Sequence, residues 1–188
     1  YPRARIARVG PRPEAVARPW WRAWASAGAE AHCSEEQTPG RSVALVWSNM
    51  RLQFESDPMR LMRAWRAALA AEGFVMFSTL GPGSLDVLRE IYAEHGWGVP
   101  HAPFVDMHDL GDMLVECGMA DPVMDQETLT LTYSSPERLL GELHELGLNA
   151  DPARFRGLRT PAWRARLLAA LAARAGADGR IAVRWEVV

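Results

Sequence analysis

Two apolar runs decide the fold: SVALVW at residues 42–47 and FVMFSTL at residues 74–80. Neither run alternates apolar with polar residues, which is typical of strands that helices cover on both faces. Pro58 begins the segment between them, and Gly73 follows it, as helix chemistry prefers. The apolar residues of this segment have helical spacing: Met59, Leu61, Met62, Trp65 and Leu69. The sequence therefore predicts a strand–helix–strand unit with parallel strands, because a helical crossover joins parallel neighbours.

Further elements are predicted on both sides of this unit. Upstream, residues 4–9 and 31–33 have the composition of short strands, and residues 14–25 that of a helix. Downstream, Ser84 is placed to cap a helix that reaches His95. The remaining predicted elements are a helix capped by Asp106 and ending at Gly118, helices at 136–146 and 160–175, and strands at 128–133 and 181–188.

The order of these elements predicts one α/β domain over residues 1–188, with a Rossmann-like, doubly wound and mostly parallel sheet. The two late strands alternate more clearly than the early ones, which favours an antiparallel C-terminal edge. The chain begins with Tyr1 and ends inside an apolar alternating run, so we expect a fragment of a longer protein.

Composition excludes several classes of protein. Apolar residues make up 48% and charged residues 23%, as in ordinary folded domains. No apolar run reaches the roughly 18 to 20 residues that a membrane span needs, and Tyr1 opens no signal-peptide pattern, so we expect a cytoplasmic protein without a membrane partner. Cys33 and Cys117 lie far apart and lack metal-ligand spacing, which predicts neither a disulfide scaffold nor a metal site.

The N-terminal stretch is strongly basic. Its only acidic residue is Glu14, and its basic residues are Arg3, Arg5, Arg8, Arg12, Arg18 and Arg22. Such a cluster is either a solvated face or a surface that attracts nucleic acid or an acidic protein. Because no base-stacking or groove-binding motif accompanies it, nucleic acid is not the expected partner.

Ligands of open parallel sheets bind beyond the carboxyl ends of the strands. That rule points to Gly10, to Ser48 and Asn49, and to residues 78–83. Ser48 and Asn49 offer short polar groups that either face a cofactor or form a satisfied turn, and the sequence leaves both interpretations open.

Three stretches resemble one enzyme family: VALVWSNMRLQF (43–54), FVMFSTLGPGSL (74–85) and PHAPFVDMHDLGDMLVECGMADPVMDQETLTLTY (100–133). The family is that of the malonyl-acyl-carrier-protein O-methyltransferases of biotin synthesis. The similarity runs over residues 42–188, and its most specific part is DMHDLGDML followed at the right distance by DPVMDQETLTLTY. The resemblance implies a class I methyltransferase that uses S-adenosylmethionine (SAM) to methylate the free malonyl carboxylate of an acyl-carrier-protein thioester.

The resemblance also implies site residues. The cofactor would be bound by Gly10, Ser48, Asn49 and Gln53. The substrate carboxylate would be bound and oriented by His101, His108 or Arg154, because Arg and His form charge-assisted hydrogen bonds with carboxylates.

Purely structural roles also remain open for these candidates. His108 can simply join the cap of its helix with Asp106 and Asp109, and Arg154 can form a surface ion pair. Arg156 and Arg159 compete with Arg154 for the same role.

The cofactor pocket departs from the family pattern. The chain has no glycine-rich turn before Gly10, and Gly10 itself stands where an acidic residue would bind the ribose. The segment AHCSEEQT is shortened, so that Ser34 or Glu35 would replace an adenine-binding Asp. Either the chain is part of a working enzyme with an unusual cofactor site, or it is a non-catalytic relative that has lost SAM binding and acts through protein interaction.

Overall fold

The computed structural model describes residues 7–9, 31–33, 42–146 and 159–188. The strands of this part are β1 (Ala7–Val9), β2 (Ala31–Cys33), β3 (Val43–Asn49), β4 (Leu69–Ser78), β5 (Glu127–Tyr133) and β6 (Ile181–Val187). The helices are α1 (Pro58–Ala68), α2 (Asp86–His95), α3 (Met107–Glu116), α4 (Pro136–Leu146) and α5 (Pro161–Ala172), with a single 3-10 turn at Leu52–Phe54.

The strands pair in the directions that the sequence predicts. β1 and β2 are parallel, and so are β3 and β4, where Asn49 faces Ser78 at the carboxyl ends. β5 and β6 are antiparallel, with Tyr133 opposite Ile181. An antiparallel bridge between Leu80 and Val187 then joins β6 to the chain that leaves β4. The predicted α/β sheet with an antiparallel C-terminal pair is confirmed.

The boundary between α1 and β4 was predicted in the wrong place. The sequence predicts that the helix stops at Gly73, whereas α1 ends at Ala68 and β4 begins at once with Leu69. The reason is strand pairing: Leu69 lies opposite Val43, and the register then shifts before Leu45 meets Phe74. Gly73 lies inside this irregular stretch, where a Cβ atom would come within 2.7 Å of the Val43 carbonyl oxygen.

The start of α2 also differs from the prediction. Ser84 does not cap this helix, which begins at Asp86 after Leu85 in a left-handed conformation (φ 58°). The Ser84 hydroxyl instead bonds to the backbone of Glu186. The predicted cap of α3 is confirmed, because the Asp106 carboxylate accepts a hydrogen bond from the His108 backbone N–H.

Helices cover the β3–β4 pair on one face. Val46, Val75 and Phe77 pack with residues of α1 and α3, and the Phe77 ring lies 5.6 Å from that of Trp65. The opposite face carries four exposed apolar side chains, of which Trp47 is 77% exposed: Leu45, Trp47, Phe74 and Met76. Among the described residues, the helices that pack on this pair lie on the same side, and the helix predicted at 14–25 lies outside the part that the structure describes.

Two buried clusters hold the described part together. The first joins α2, α4, α5 and β6 through residues such as Ile91, Leu139, Leu171 and Val183. The second lies between α1 and α3 and has Met62 and Leu110 at its centre. Leu80 belongs to the first cluster and Leu52 to the second, and both also line the cleft described below.

Several predictions fall on residues that the structure does not describe. These are the helix at 14–25, the cofactor residue Gly10, the adenine-site candidates Ser34 and Glu35, and the substrate residue Arg154. Among the described helices, none is both long and apolar enough to cross a membrane.

Candidate active site

A cleft of about 380 Å³ opens at the carboxyl ends of β3 and β4. One wall is the 3-10 turn with the residues after it, up to Ser56 and Pro58. Thr79 and Leu80 form the floor, and the loop from Ala102 to Val105 forms the other wall. Its volume lies in the range of small-molecule sites, and its lining mixes apolar side chains with a few polar ones, as such sites do.

A chain of hydrogen bonds ties the two strand ends together beside this cleft. Asn49 Oδ1 accepts from the Ser78 hydroxyl at 2.5 Å, and the Met50 backbone N–H donates to the Ser78 carbonyl oxygen at 2.9 Å. Gln53 Nε2 donates to the Met50 carbonyl oxygen at 2.9 Å, and its Oε1 accepts from the buried Thr79 hydroxyl at 3.2 Å. The polar groups after both strands therefore form one connected network.

Met50 adopts a left-handed conformation at the centre of this network (φ 49°). A non-glycine residue with positive φ is strained, and such residues concentrate at functional sites because the surroundings must hold them there. The hydrogen bonds from Gln53 and to Ser78 hold Met50 in this conformation. The strain supports the assignment of this strand end as the site.

His101 lies behind the wall of the cleft. Its side chain is buried and stacks on the Phe104 ring with 4.6 Å between the ring centroids, and Phe104 lines the cleft. The imidazole Nδ1–H donates to the Ala102 carbonyl oxygen at 2.7 Å. The stack and the hydrogen bond together fix the loop that carries Ala102 and Phe104.

His108 lies outside the cleft, in the first turn of α3. Its side chain is 84% exposed, and its Nδ1 lies 3.0 Å from the Asp106 carboxylate. The backbone N–H of His108 and then its imidazole, both hydrogen bonded to this carboxylate, lower the pKa of Asp106. This arrangement is the capping network that the sequence left open as an alternative.

The structure therefore brings together some of the predicted site residues and separates others. Asn49 and Gln53 belong to the hydrogen-bond network at the strand ends. Ser48 lies one residue before Asn49 and pairs with Phe77 of β4. His101 supports the loop on the other side of the cleft. Thr79 was not predicted as a site residue, although it lies within the strand end at residues 78–83.

Glu186 was also missed, and it holds the turn after the cleft floor. Its carboxylate accepts a hydrogen bond from the Gly83 N–H at 3.1 Å, and a Cβ atom on Gly81 or Gly83 would collide with that carboxylate. These two glycines are needed because the carboxylate lies directly against their backbone. Nothing in the local sequence of β6 signals this contact, because its partner lies more than 100 residues away.

Solved structures place this fold in a known class. The YcgJ protein of Bacillus subtilis superposes with a TM-score of 0.55 at 12% identity, covering 89% of this chain and 72% of that one. The BH2331 protein of Bacillus halodurans C-125, which carries a provisional methyltransferase assignment, gives 0.51 at 15% identity over 88% and 73%. The fold is thus the Rossmann-like fold of the class I methyltransferases.

Comparison with curated proteins identifies relatives of one particular kind within this class. The malonyl-[acyl-carrier protein] O-methyltransferase of Halorhodospira halophila is 44% identical over 153 residues, which are 80% of this chain and 52% of the relative. Enzymes of the same name from Laribacter hongkongensis and Gallionella capsiferriformans are 39% and 40% identical over 81% and 78% of the chain. The chain is a homologue of the malonyl-[acyl-carrier protein] O-methyltransferases and spans about half the length of these relatives. No model of a protein family matches it.

Proposed function

We propose that this protein is a SAM-dependent methyltransferase that esterifies the free carboxylate of a malonyl group carried by acyl carrier protein. The observation that carries the proposal is the 44% identity to a named malonyl-[acyl-carrier protein] O-methyltransferase over four fifths of the chain. The alternative, a relative without SAM binding, is not favoured, because the relatives that the chain matches are named as O-methyltransferases.

The cleft suits a cofactor with an apolar body and several polar groups. Phe54, Leu80 and Phe104 supply apolar surface, and Gln53 and Thr79 supply hydrogen-bonding groups. On this fit, Asn49 and Gln53 would hold SAM from the ends of β3 and the turn after it, with Ser48 and Gly10 as the further cofactor residues of the proposal. When bound, SAM supplies an electrophilic methyl group on sulfur.

Methyl transfer to a carboxylate needs orientation more than proton removal. A carboxylate is already ionised at neutral pH, since its ordinary pKa is about 4. The residues of the chain must therefore hold one oxygen in line with the methyl group and exclude water. Of the three proposed substrate residues, His101 braces the cleft wall through Phe104 and Ala102. His108, on the exposed start of α3, and Arg154, which lies outside the described residues, stay in the proposal as the other candidates.

Two measurements on the full-length protein test this proposal. Calorimetric titration with S-adenosylhomocysteine (SAH) is expected to give saturable heat, and transfer of labelled methyl from SAM to malonyl-acyl carrier protein is expected to exceed transfer to acetyl-acyl carrier protein. No detectable heat at millimolar SAH would overturn the proposal and favour the non-catalytic alternative.

A variant connects the activity to the cleft. Gln53→Ala removes a donor to Met50 and the acceptor for Thr79, so SAH is expected to bind about tenfold more weakly, as loss of one or two hydrogen bonds predicts. Gln126→Ala is the matched control, because the exposed Gln126 lies away from the cleft lining. Equal SAH affinity in the two variants would contradict the assignment of Gln53.

A further inference from the structure

Arginine and tryptophan side chains stack on one another where α5 begins. The Arg159 guanidinium lies 4.5 Å from the Trp163 ring centroid, and that of Arg166 lies 5.4 Å from the Trp97 ring. The two indoles contact each other at 5.4 Å, and Arg159 also donates to the Trp97 carbonyl oxygen. We call Trp97, Arg159, Trp163, Arg164 and Arg166 together the α5 basic face.

This face has no acidic residue of its own. Residues 159–177 contain four arginines and neither Asp nor Glu. Arg174, at the far end of α5, is neutralised by Glu90 and Glu94, with distances of 2.7 and 2.5 Å. Among the ion pairs of the described residues, none involves Arg164 or Arg166, and both side chains are exposed. The face therefore presents positive charge to the solvent.

Stacking on Trp97 partly orders the Arg166 guanidinium in a position from which it can bind an anionic partner. A guanidinium that lies over an indole keeps the N–H groups along its edge available for carboxylates. The indoles are themselves held by Tyr92, whose ring lies 5.6 Å from Trp97 and 6.3 Å from Trp163. Arg166 is thereby partly ordered before binding, which reduces the entropy that it loses when a partner docks.

The α5 basic face lies close to the candidate active site. Trp97 belongs to the face and Ala102 to the cleft wall, and five residue steps separate them, so their Cα atoms are at most about 19 Å apart. Phe104 of the wall and Leu167 of α5 share one buried cluster. A macromolecule bound to the face would therefore lie within about 20 Å of the cleft wall.

We infer that the α5 basic face docks an acidic surface of the acyl carrier protein, so that the carried thioester can reach the cleft. This inference rests on the proposed function and names the surface through which its partner would bind. A substrate presented on a carrier protein needs a contact outside the chemical site, and exposed arginines beside an acidic surface supply it by steering and by charge-assisted hydrogen bonds.

Charge reversal in the full-length protein tests the inference. Arg166→Glu is expected to raise the Kd for holo-acyl carrier protein and the KM for its malonyl form about tenfold, because a like charge then opposes the partner. The kcat and the KM for malonyl-N-acetylcysteamine, a small thioester without a carrier, are expected to stay unchanged. Arg63→Glu, an equal charge change on α1, is the control and is expected to bind like the wild type. The difference in Kd between the two variants should shrink as the salt concentration is raised.

The outcomes separate the two hypotheses. Equal Kd values for Arg166→Glu and Arg63→Glu would overturn the docking surface, even if the wild type methylates the carrier protein. An inactive wild type that still binds the carrier protein through Arg166 would overturn the proposed function and retain the docking surface. Arg166→Gln removes the charge without reversing it and gives an intermediate Kd, which keeps the test valid if the Glu variant does not fold.

Discussion

The Ser84 hydroxyl bonds to both backbone groups of Glu186, although 102 residues separate the two in the chain. It donates to the Glu186 carbonyl oxygen at 3.0 Å and accepts from the Glu186 N–H at 2.9 Å. Ser84 is fully buried, and the same glutamate receives the Gly83 N–H on its carboxylate. The contact fastens the turn after the cleft floor to β6.

Removal of this hydroxyl is expected to destabilise the protein. Ser84→Ala removes the partner of the Glu186 N–H and leaves the Glu186 carbonyl oxygen with the Gly81 N–H alone, so we expect the free energy of unfolding to fall by about 1–3 kcal/mol. Urea denaturation followed by far-UV circular dichroism measures the change. Ser134→Ala, at an exposed serine, serves as the control and should stay within about 0.5 kcal/mol of the wild type.

A Cβ atom on Gly83 is expected to clash with the Glu186 carboxylate, which lies 2.5 Å from its ideal position. Gly83→Ala should therefore displace the carboxylate and break its hydrogen bond from the Gly83 N–H, at a cost of about 1 kcal/mol of unfolding free energy. The clash requires the carboxylate, so the same substitution should cost less when Glu186→Ala is also present. A double-mutant cycle measures this coupling, and strictly additive effects would show that the glutamate moves aside freely.

Gly73→Ala is expected to destabilise the β3–β4 pair. The new Cβ atom would lie 2.7 Å from the Val43 carbonyl oxygen, a backbone atom that strand pairing holds in place. We expect a loss of about 1–3 kcal/mol in thermal or urea unfolding. Gly141→Ala provides the comparison, because its Cβ meets open space on α4 and alanine should gain up to about 1 kcal/mol there. Similar effects at both positions would contradict the close approach.

The cap of α3 is expected to make stability depend on pH in the acid range. Hydrogen bonds from His108 lower the pKa of Asp106 in the folded state. The stabilisation is therefore fully present above the ordinary carboxyl pKa of about 3.9 and is lost as the pH falls through the lower folded value.

Urea midpoints between pH 7 and pH 2.5 measure this dependence in the wild type and in Asp106→Asn. The wild type should exceed the variant at neutral pH, and the two should converge at the acid end. Asp112→Asn, which removes one exposed carboxylate elsewhere on α3, controls for net charge. A gap between the wild type and Asp106→Asn that does not narrow as the pH falls would refute the link to this carboxyl.

Local chemistry made most of the elements predictable. The bounds of α4 agree with the prediction to the residue, and Asp106 caps α3 as expected, because helix ends depend on side chains within one turn. The predicted cap of α2 by Ser84 was wrong because the partner of this side chain lies far away in the sequence. Its hydroxyl had a local role available, but a distant backbone offers two hydrogen bonds instead of one.

The candidate site was predictable only in part. Polar residues after a buried strand point to the carboxyl edge of a parallel sheet, which located Asn49 and residues 78–83. The tertiary structure determines which partner each polar group finds, so the hydrogen bond between Thr79 and Gln53 could not be predicted from the sequence. For His108 the sequence left a cap role and a substrate role open, and the structure shows its hydrogen bonds to the Asp106 carboxylate.

By itself, the sequence determined the α/β order of elements, the direction in which the strands pair and the resemblance that curated relatives bear out, because these depend on periodicity and on short motifs. Tertiary structure decided which face of β3 and β4 is covered, where α1 gives way to β4, and how Glu186 meets the glycines after the cleft floor. Those features depend on contacts between residues far apart in the chain, and such contacts leave no mark on the local pattern.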